Sequence, residues 1–195
     1  MMLILVLGLI VFLGCHMLPT FVGLHDSLKT KMGDGPYRLA FSAVSAIGIT
    51  LIVIGYGDAR FAGYLPIYDP PIWMRHLVLL LMLPVFVLFA AAYLPGHIKK
   101  RTKHPMILSV KIWALAHLLA NGEPQSLLLF GGFLAWGVID RISLKKRDLA
   151  QGGPAQVDMS HAVRNDAIAL IIGLGIYLLF VWKLHELIIG VSVIG

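Results

Sequence analysis

Six stretches of almost uninterrupted apolar side chains fill most of this 195-residue chain, each close to the length of a bilayer crossing and separated by polar or Gly/Pro-bearing links. That pattern predicts an all-α polytopic transmembrane helical bundle of about six helices, over 2–24, 37–56, 72–94, 105–120, 124–140 and 164–190. Only 13% of the residues are charged, against about 25% in soluble proteins, so little of residues 1–195 is left for a second domain. The first run has no basic residue before it and no clear small-residue cleavage site. It is therefore expected to stay as a span and not to be removed as a signal peptide. Gly122 and Pro124 in the link NGEP supply a helix stop and a helix start, which makes the fourth and fifth spans a tight hairpin.

The net charge of +6 is distributed as short clusters beside apolar runs, a pattern of membrane orientation and not of nucleic-acid binding. Lys29, Lys31 and Arg38 follow the first span, Lys99, Lys100, Arg101 and Lys103 the third, and Arg141, Lys145, Lys146 and Arg147 the fifth. All three groups fall on one side. The positive-inside rule makes that side cytoplasmic and puts both termini outside. The longest link, 141–163, contains Gly152, Gly153 and Pro154 and no apolar periodicity, and is expected to be a mobile connector. A single cysteine, Cys15, excludes an internal disulfide and any CxxC metal pattern. Nothing in the pattern sets an oligomeric state, and membrane lipid is the one partner it implies.

Ionisable side chains at membrane depth are costly and tend to face the bundle interior, so the histidines carry the functional question. His25, His97, His161 and His185 fall near predicted interfaces, where an imidazole is easily tolerated. His104 precedes Pro105, a pairing that suits the start of a helix. His16, His76 and His117 differ, because apolar sequence flanks each on both sides. A neutral imidazole can bind iron through one nitrogen while the other donates to an acceptor behind it. The plainer use is an interhelical hydrogen bond, for instance to Ser42, Ser45 or a backbone carbonyl, worth about 1 kcal/mol.

Depth does not choose the partner of His117. At 1.5 Å per residue, His117 lies roughly 18 Å into its helix, His16 about 12 Å from the inner end of the first span, and His76 about 6 Å from the outer start of the third. Trp113 and Asn121 stand four residues before and after His117, on the same helix face. Asn121 suits orienting a ligand or, more ordinarily, capping the turn. Gly8, Gly14, Gly131, Gly132 and Gly137 permit close approach of helices or of a flat ligand, and Pro19 and Pro84 are placed to bend their helices. Cys15 is an alternate ligand by position, although a buried cysteine is more often a small apolar residue.

The stretch KHPMILSVKIWALAHLLANGEPQSLLLFGGFLAW, preceded by GCHMLP and GYGDAR, resembles the NnrU family of bacterial integral membrane proteins over nearly the whole chain. The resemblance implies the bacterial inner membrane and a link to denitrification, the family being named for a requirement in nitrite and nitric oxide reductase expression. NnrU proteins are in turn similar to the ζ-carotene isomerase of plants and cyanobacteria, a b-type haem enzyme that interconverts cis and trans double bonds of a polyene. The likeness implies haem b with His16 and His117 as axial ligands but does not carry over the carotenoid itself, so the concrete enzymatic version is isomerisation of an apolar, polyene-like substrate. Depth keeps His76 in reserve, and the helix face shared with His117 puts Trp113 and Asn121 beside the cofactor. Lys103 stands where the family commonly has arginine before the histidine-proline pair. The related methyltransferases with an Arg-His-Pro element carry acidic and arginine-rich motifs in their last cytoplasmic segment. Here the chain ends in WKLHELIIGVSVIG, so methyl transfer is disfavoured. The rival class is a membrane sensor, assembly factor or partner subunit without haem.

Overall fold

The computed structural model describes residues 2–194 and is a helical membrane bundle, with no strand among those residues. Five helices or helix runs are long and apolar enough to cross a membrane, and a shorter apolar helix, Pro105–Ala120, makes the sixth member. The helices are α1 (Met2–Met17), α2 (Val22–Met32), α3 (Asp34–Phe61), α4 (Met74–Tyr93), α5 (His97–Thr102), α6 (Pro105–Ala120), α7 (Pro124–Ala150), α8 (Ala162–Leu179) and α9 (His185–Ile189).

Proline decides several boundaries. Pro105 and Pro124 stand in the first turns of α6 and α7, where a missing N–H leaves no bond unmade. Pro19 has a stronger effect than the bend expected of it. α1 stops at Met17, a 3-10 turn covers Leu18–Thr20, and the polar α2 sets off separately. A proline beyond the first turn clashes with the carbonyl four residues back, and Thr20 Oγ1 donates to the Met17 carbonyl at 2.6 Å to close the end. Pro84, by contrast, is carried inside an unbroken α4.

α7 overturns a second expectation. It runs on to Ala150, so Arg141–Ala150 is helix and not connector. Its sequence RISLKKRDLA has no glycine or proline and is dominated by good helix formers, and the chain leaves the helix only before Gly152 and Gly153, which adopt φ values of 84° and 129°. At 1.5 Å per residue, 27 residues make a rod of about 40 Å, longer than a 30 Å hydrocarbon core. After α8 a π-turn spans Phe180–Leu184, with the Phe180 ring 5.0 Å from that of Phe86, before α9 ends at left-handed Gly190.

The long helices pack in the order α3, α1, α7, α6, α4, α8. Close helix approach is set by glycines, although mostly not those singled out from sequence. A Cβ on Gly8 would stand 2.6 Å from the Ile52 nitrogen, and one on Gly48 2.8 Å from Phe12, while Gly55 and Gly173 abut the backbones of Leu5 and Val87. Gly14 and Gly131 face open space, Gly132 only touches Leu13 and Leu9, and Gly137 accepts the stem of Lys111. The core clusters Leu5, Leu9, Ile52, Ala114, Leu129 and Phe130 where α1, α3, α6 and α7 meet.

The three basic groups share one end of the bundle. His104 Nε2 lies 2.9 Å from Asp148 Oδ2, which ties the start of α6 to the end of α7, and the turn after α1 packs on α7 as well. At that same end the Asp166 carboxylate of α8 accepts the backbone N–H groups of His97 (2.9 Å) and Ile98 (3.2 Å), and so caps α5.

Candidate functional site

α1 and α6 each pack on α7, and their backbones do not come close to each other among the described residues. Leu5, Leu9, Phe12 and His16 recur at helical spacing along α1, and Phe130, Phe133, Trp136 and Asp140 recur along α7, so each row forms a single stripe. Trp113 and His117 form the matching stripe of α6. The three stripes meet in a half-buried aromatic groove that is filled by its own rings, with one histidine towards each end.

The two histidines are built alike. His16 Nδ1 lies 2.8 Å from the carbonyl of Phe12, and His117 Nδ1 lies 2.9 Å from that of Trp113, each four residues back on its own helix. A carbonyl only accepts, so Nδ1 must carry the proton, and the Nε2 lone pair is left outward. Neither Nε2 has a hydrogen-bond partner among the described residues. In both cases the residue that supplies the carbonyl also packs its ring on the imidazole, at 4.2 Å for Phe12 and 5.3 Å for Trp113. Phe41 and Trp136 meet His16 edge-on at 5.1 and 5.8 Å, and Phe130 covers His117 at 4.6 Å.

Between the imidazoles stand three rings: Phe12 contacts Phe133 at 5.6 Å, and Phe133 contacts Trp113 at 5.4 Å. Each histidine alone therefore has the donor chemistry an iron ligand requires, a fixed tautomer and a free nitrogen in aromatic surroundings. A single iron held by both requires Phe12, Phe133 and Trp113 to turn aside.

The other candidates are placed elsewhere. His76 is exposed on α4, which packs against α6 and α8 and not α1. Cys15 points at α3, its Sγ 3.8 Å from Ser45 Oγ and 3.9 Å from the Phe41 carbonyl. Ser45, a sequence candidate for bonding an intramembrane histidine, lies against the thiol instead. Asn121 caps α6: its Nδ2 donates to the His117 carbonyl at 2.9 Å and its backbone N–H to the same oxygen at 3.0 Å. No group of three or more His, Cys, Asp or Glu able to hold a bare metal ion occurs among the described residues.

Sequence reasoning passed over the polar residues beside the groove. Tyr56 Oη and Ser126 Oγ meet at 2.9 Å between α3 and α7, with Gln125 buried beside them in sequence. Lys111, a lone charge within an apolar run, and Asp140, next to Arg141, lie outside the histidine pattern. Over the His117 end a strap from the α3–α4 link is fastened to the α6–α7 turn. Ile67 N–H donates to the Gly122 carbonyl at 2.8 Å, and Tyr68 Oη donates to that of Asn121 at 3.0 Å. Burial, aided by the Glu123 carboxylate, pushes the Tyr68 phenol above its usual range.

Gly122 is the residue this strap needs, because a Cβ there would collide with the Tyr68 carbonyl. Gly122→Ala is expected to lift the strap and to remove about 1–3 kcal/mol of stability. Limited proteolysis checks it: cleavage within 62–73 should accelerate, and an unchanged rate would show the strap to be loose already.

A family model described as NnrU protein matches residues 4–193. The chain belongs to the NnrU family. No curated protein and no solved structure matches it. For this NnrU protein the family match and the bundle together establish a multi-pass helical membrane protein, with the paired histidine stations and the aromatic groove as its most distinctive internal feature.

Proposed function

We propose that this NnrU protein binds haem b inside the bacterial inner membrane through His16 and His117, and that it acts in redox chemistry or in cis–trans isomerisation of an apolar, polyene-like substrate. One observation carries the proposal: two intramembrane histidines share the same Nδ1-to-carbonyl lock and the same free Nε2. The basic end of the bundle is assigned to the cytoplasm, with both termini outside, on the positive-inside rule.

The chain's own residues have separable tasks. The Phe12 and Trp113 carbonyls fix the imidazole tautomers, and Phe41, Phe130 and Trp136 shield them from water. Bound haem would supply a one-electron redox centre, and catalysis at its iron would need one of the two histidines to release it. Electron transfer alone would need no such release. Purified from haem-replete cells, the protein is expected to show a Soret band that shifts on dithionite reduction. A colourless, folded protein would reject haem, and an unchanged cis-ζ-carotene pool with the reduced pigment would reject that substrate.

A second reading is favoured by the ring packing of Phe12, Phe133 and Trp113, which fills the space between the histidines with side chains. On that reading the protein is a haem-free sensor, assembly factor or partner subunit supporting nitric oxide and nitrite reductase expression. The pigment measurement separates the two.

A further inference from the structure

The His16 end of the groove holds more hydrogen-bond donors than its own acceptors satisfy. Trp136, Asp140 and Arg147 recur on α7 at spacings of four and seven, which places them on one face, and Gly137, Arg141 and Asp148 fall on the adjoining face. On the first face the Trp136 ring meets His16, and Arg147 approaches Asp140 at 3.6 Å. On the second, the stem of Lys111 lies across Gly137, and Asp148 is engaged by His104 at 2.9 Å. Both carboxylates are thereby occupied, and neither Arg141 nor Lys111 has an ion-pair partner among the described residues.

Three buried atoms on this stretch of α7 lack any hydrogen-bond partner: Trp136 Nε1, Arg141 Nη1 and Arg147 Nε. All three are donors. An unsatisfied buried donor costs about 1–3 kcal/mol, and more when it is charged. An anionic oxygen acceptor is what such donors lack, and guanidinium forks suit phosphate in particular.

The surroundings favour a phosphate that carries hydrocarbon. Away from Trp136 the groove continues as Phe133, Phe12 and Trp113, an apolar track at membrane depth beside which a free ion would gain nothing. Basic pockets between membrane helices are a general site for anionic head groups. We propose that the Trp136–Arg147 end of the groove binds the phosphate of an anionic membrane lipid between α1, α6 and α7, with an acyl chain running along the aromatic track. The proposal stands independently of haem.

The test is lipid binding to the purified full chain in a neutral detergent, followed by native mass spectrometry and thermal unfolding. Phosphatidylglycerol is compared with phosphatidylcholine of the same acyl chains and with inorganic phosphate. Phosphatidylglycerol is expected to be retained and to raise the unfolding temperature more than either. Arg141→Gln and Lys111→Met, which break no ion pair in this structure, should each weaken its binding about tenfold, the effect of one lost charge-assisted hydrogen bond. Equal retention of both lipids, or unchanged binding in both folded variants, would overturn the proposal. So would inorganic phosphate that displaces the lipid and stabilises the chain as well, since the site would then take a free anion.

Discussion

Replacing either His16 or His117 with alanine should lower haem retention more than about 100-fold, because losing a ligand exceeds the 10–100-fold effect of losing a group that merely orients one. If the two residues share one iron as proposed, the single variants should be equivalent, and the readout is the Soret absorbance per mole of folded protein. If each variant keeps half of the pigment, the histidines serve separate haems, and if either keeps all of it, that residue is no ligand. His76→Ala should leave the absorbance unchanged, because His76 is exposed on a helix that does not reach α1. Asn121→Ala tests the distinction between capping and ligand contact. The amide bonds the His117 backbone carbonyl and not its ring, so the pigment should stay while the end of α6 frays.

Gly55→Leu should be among the most destabilising single changes in the bundle, by about 3 kcal/mol, at the upper end of the usual range for overpacking. A side chain there meets the backbone of Leu5, and backbone cannot swing away as a flexible side chain can. The seam between α1 and α3 would open, carrying Phe12 and His16 with it. Gly14→Ala is the matched control. Nothing lies within 4 Å of its added methyl group, so relief of glycine's conformational entropy should make it neutral or stabilising by about 0.5–1 kcal/mol. Unfolding in detergent, followed by helicity, reads both. Equal stability of the two variants would mean that the α1–α3 seam does not hold the bundle.

The bundle itself was legible because hydrocarbon runs and prolines act locally: α6 spans 105–120 as its sequence predicts, bounded by Pro105 and Asn121. α7 was under-read for an equally physical reason. A charge run such as RISLKKRDLA breaks the apolar signal without breaking the helix, and only Gly152 supplies a stop. His16 and His117 were identifiable from their apolar flanks, but their identical carbonyl locks depend on rotamers that no spacing encodes. The rings between them come from three different helices, and the order α3, α1, α7, α6, α4, α8 that brings those helices together is a tertiary outcome. Arg141 and Arg147 read in sequence only as part of a basic group, and Trp136 carries no sequence signal of its own. They draw attention only once burial leaves their donors without acceptors.

The row of helices has consequences for how the molecule comes apart. α8 packs on α4 and the short α5 but on none of α1, α3, α6 or α7, so it hangs from the assembly by a single long neighbour. Pulled from its carboxyl end, the protein should first lose the Arg60 hydrogen bond to the Ile189 carbonyl and with it α9, and then yield α8 as a discrete step, while the groove and both imidazole stations stay intact behind it.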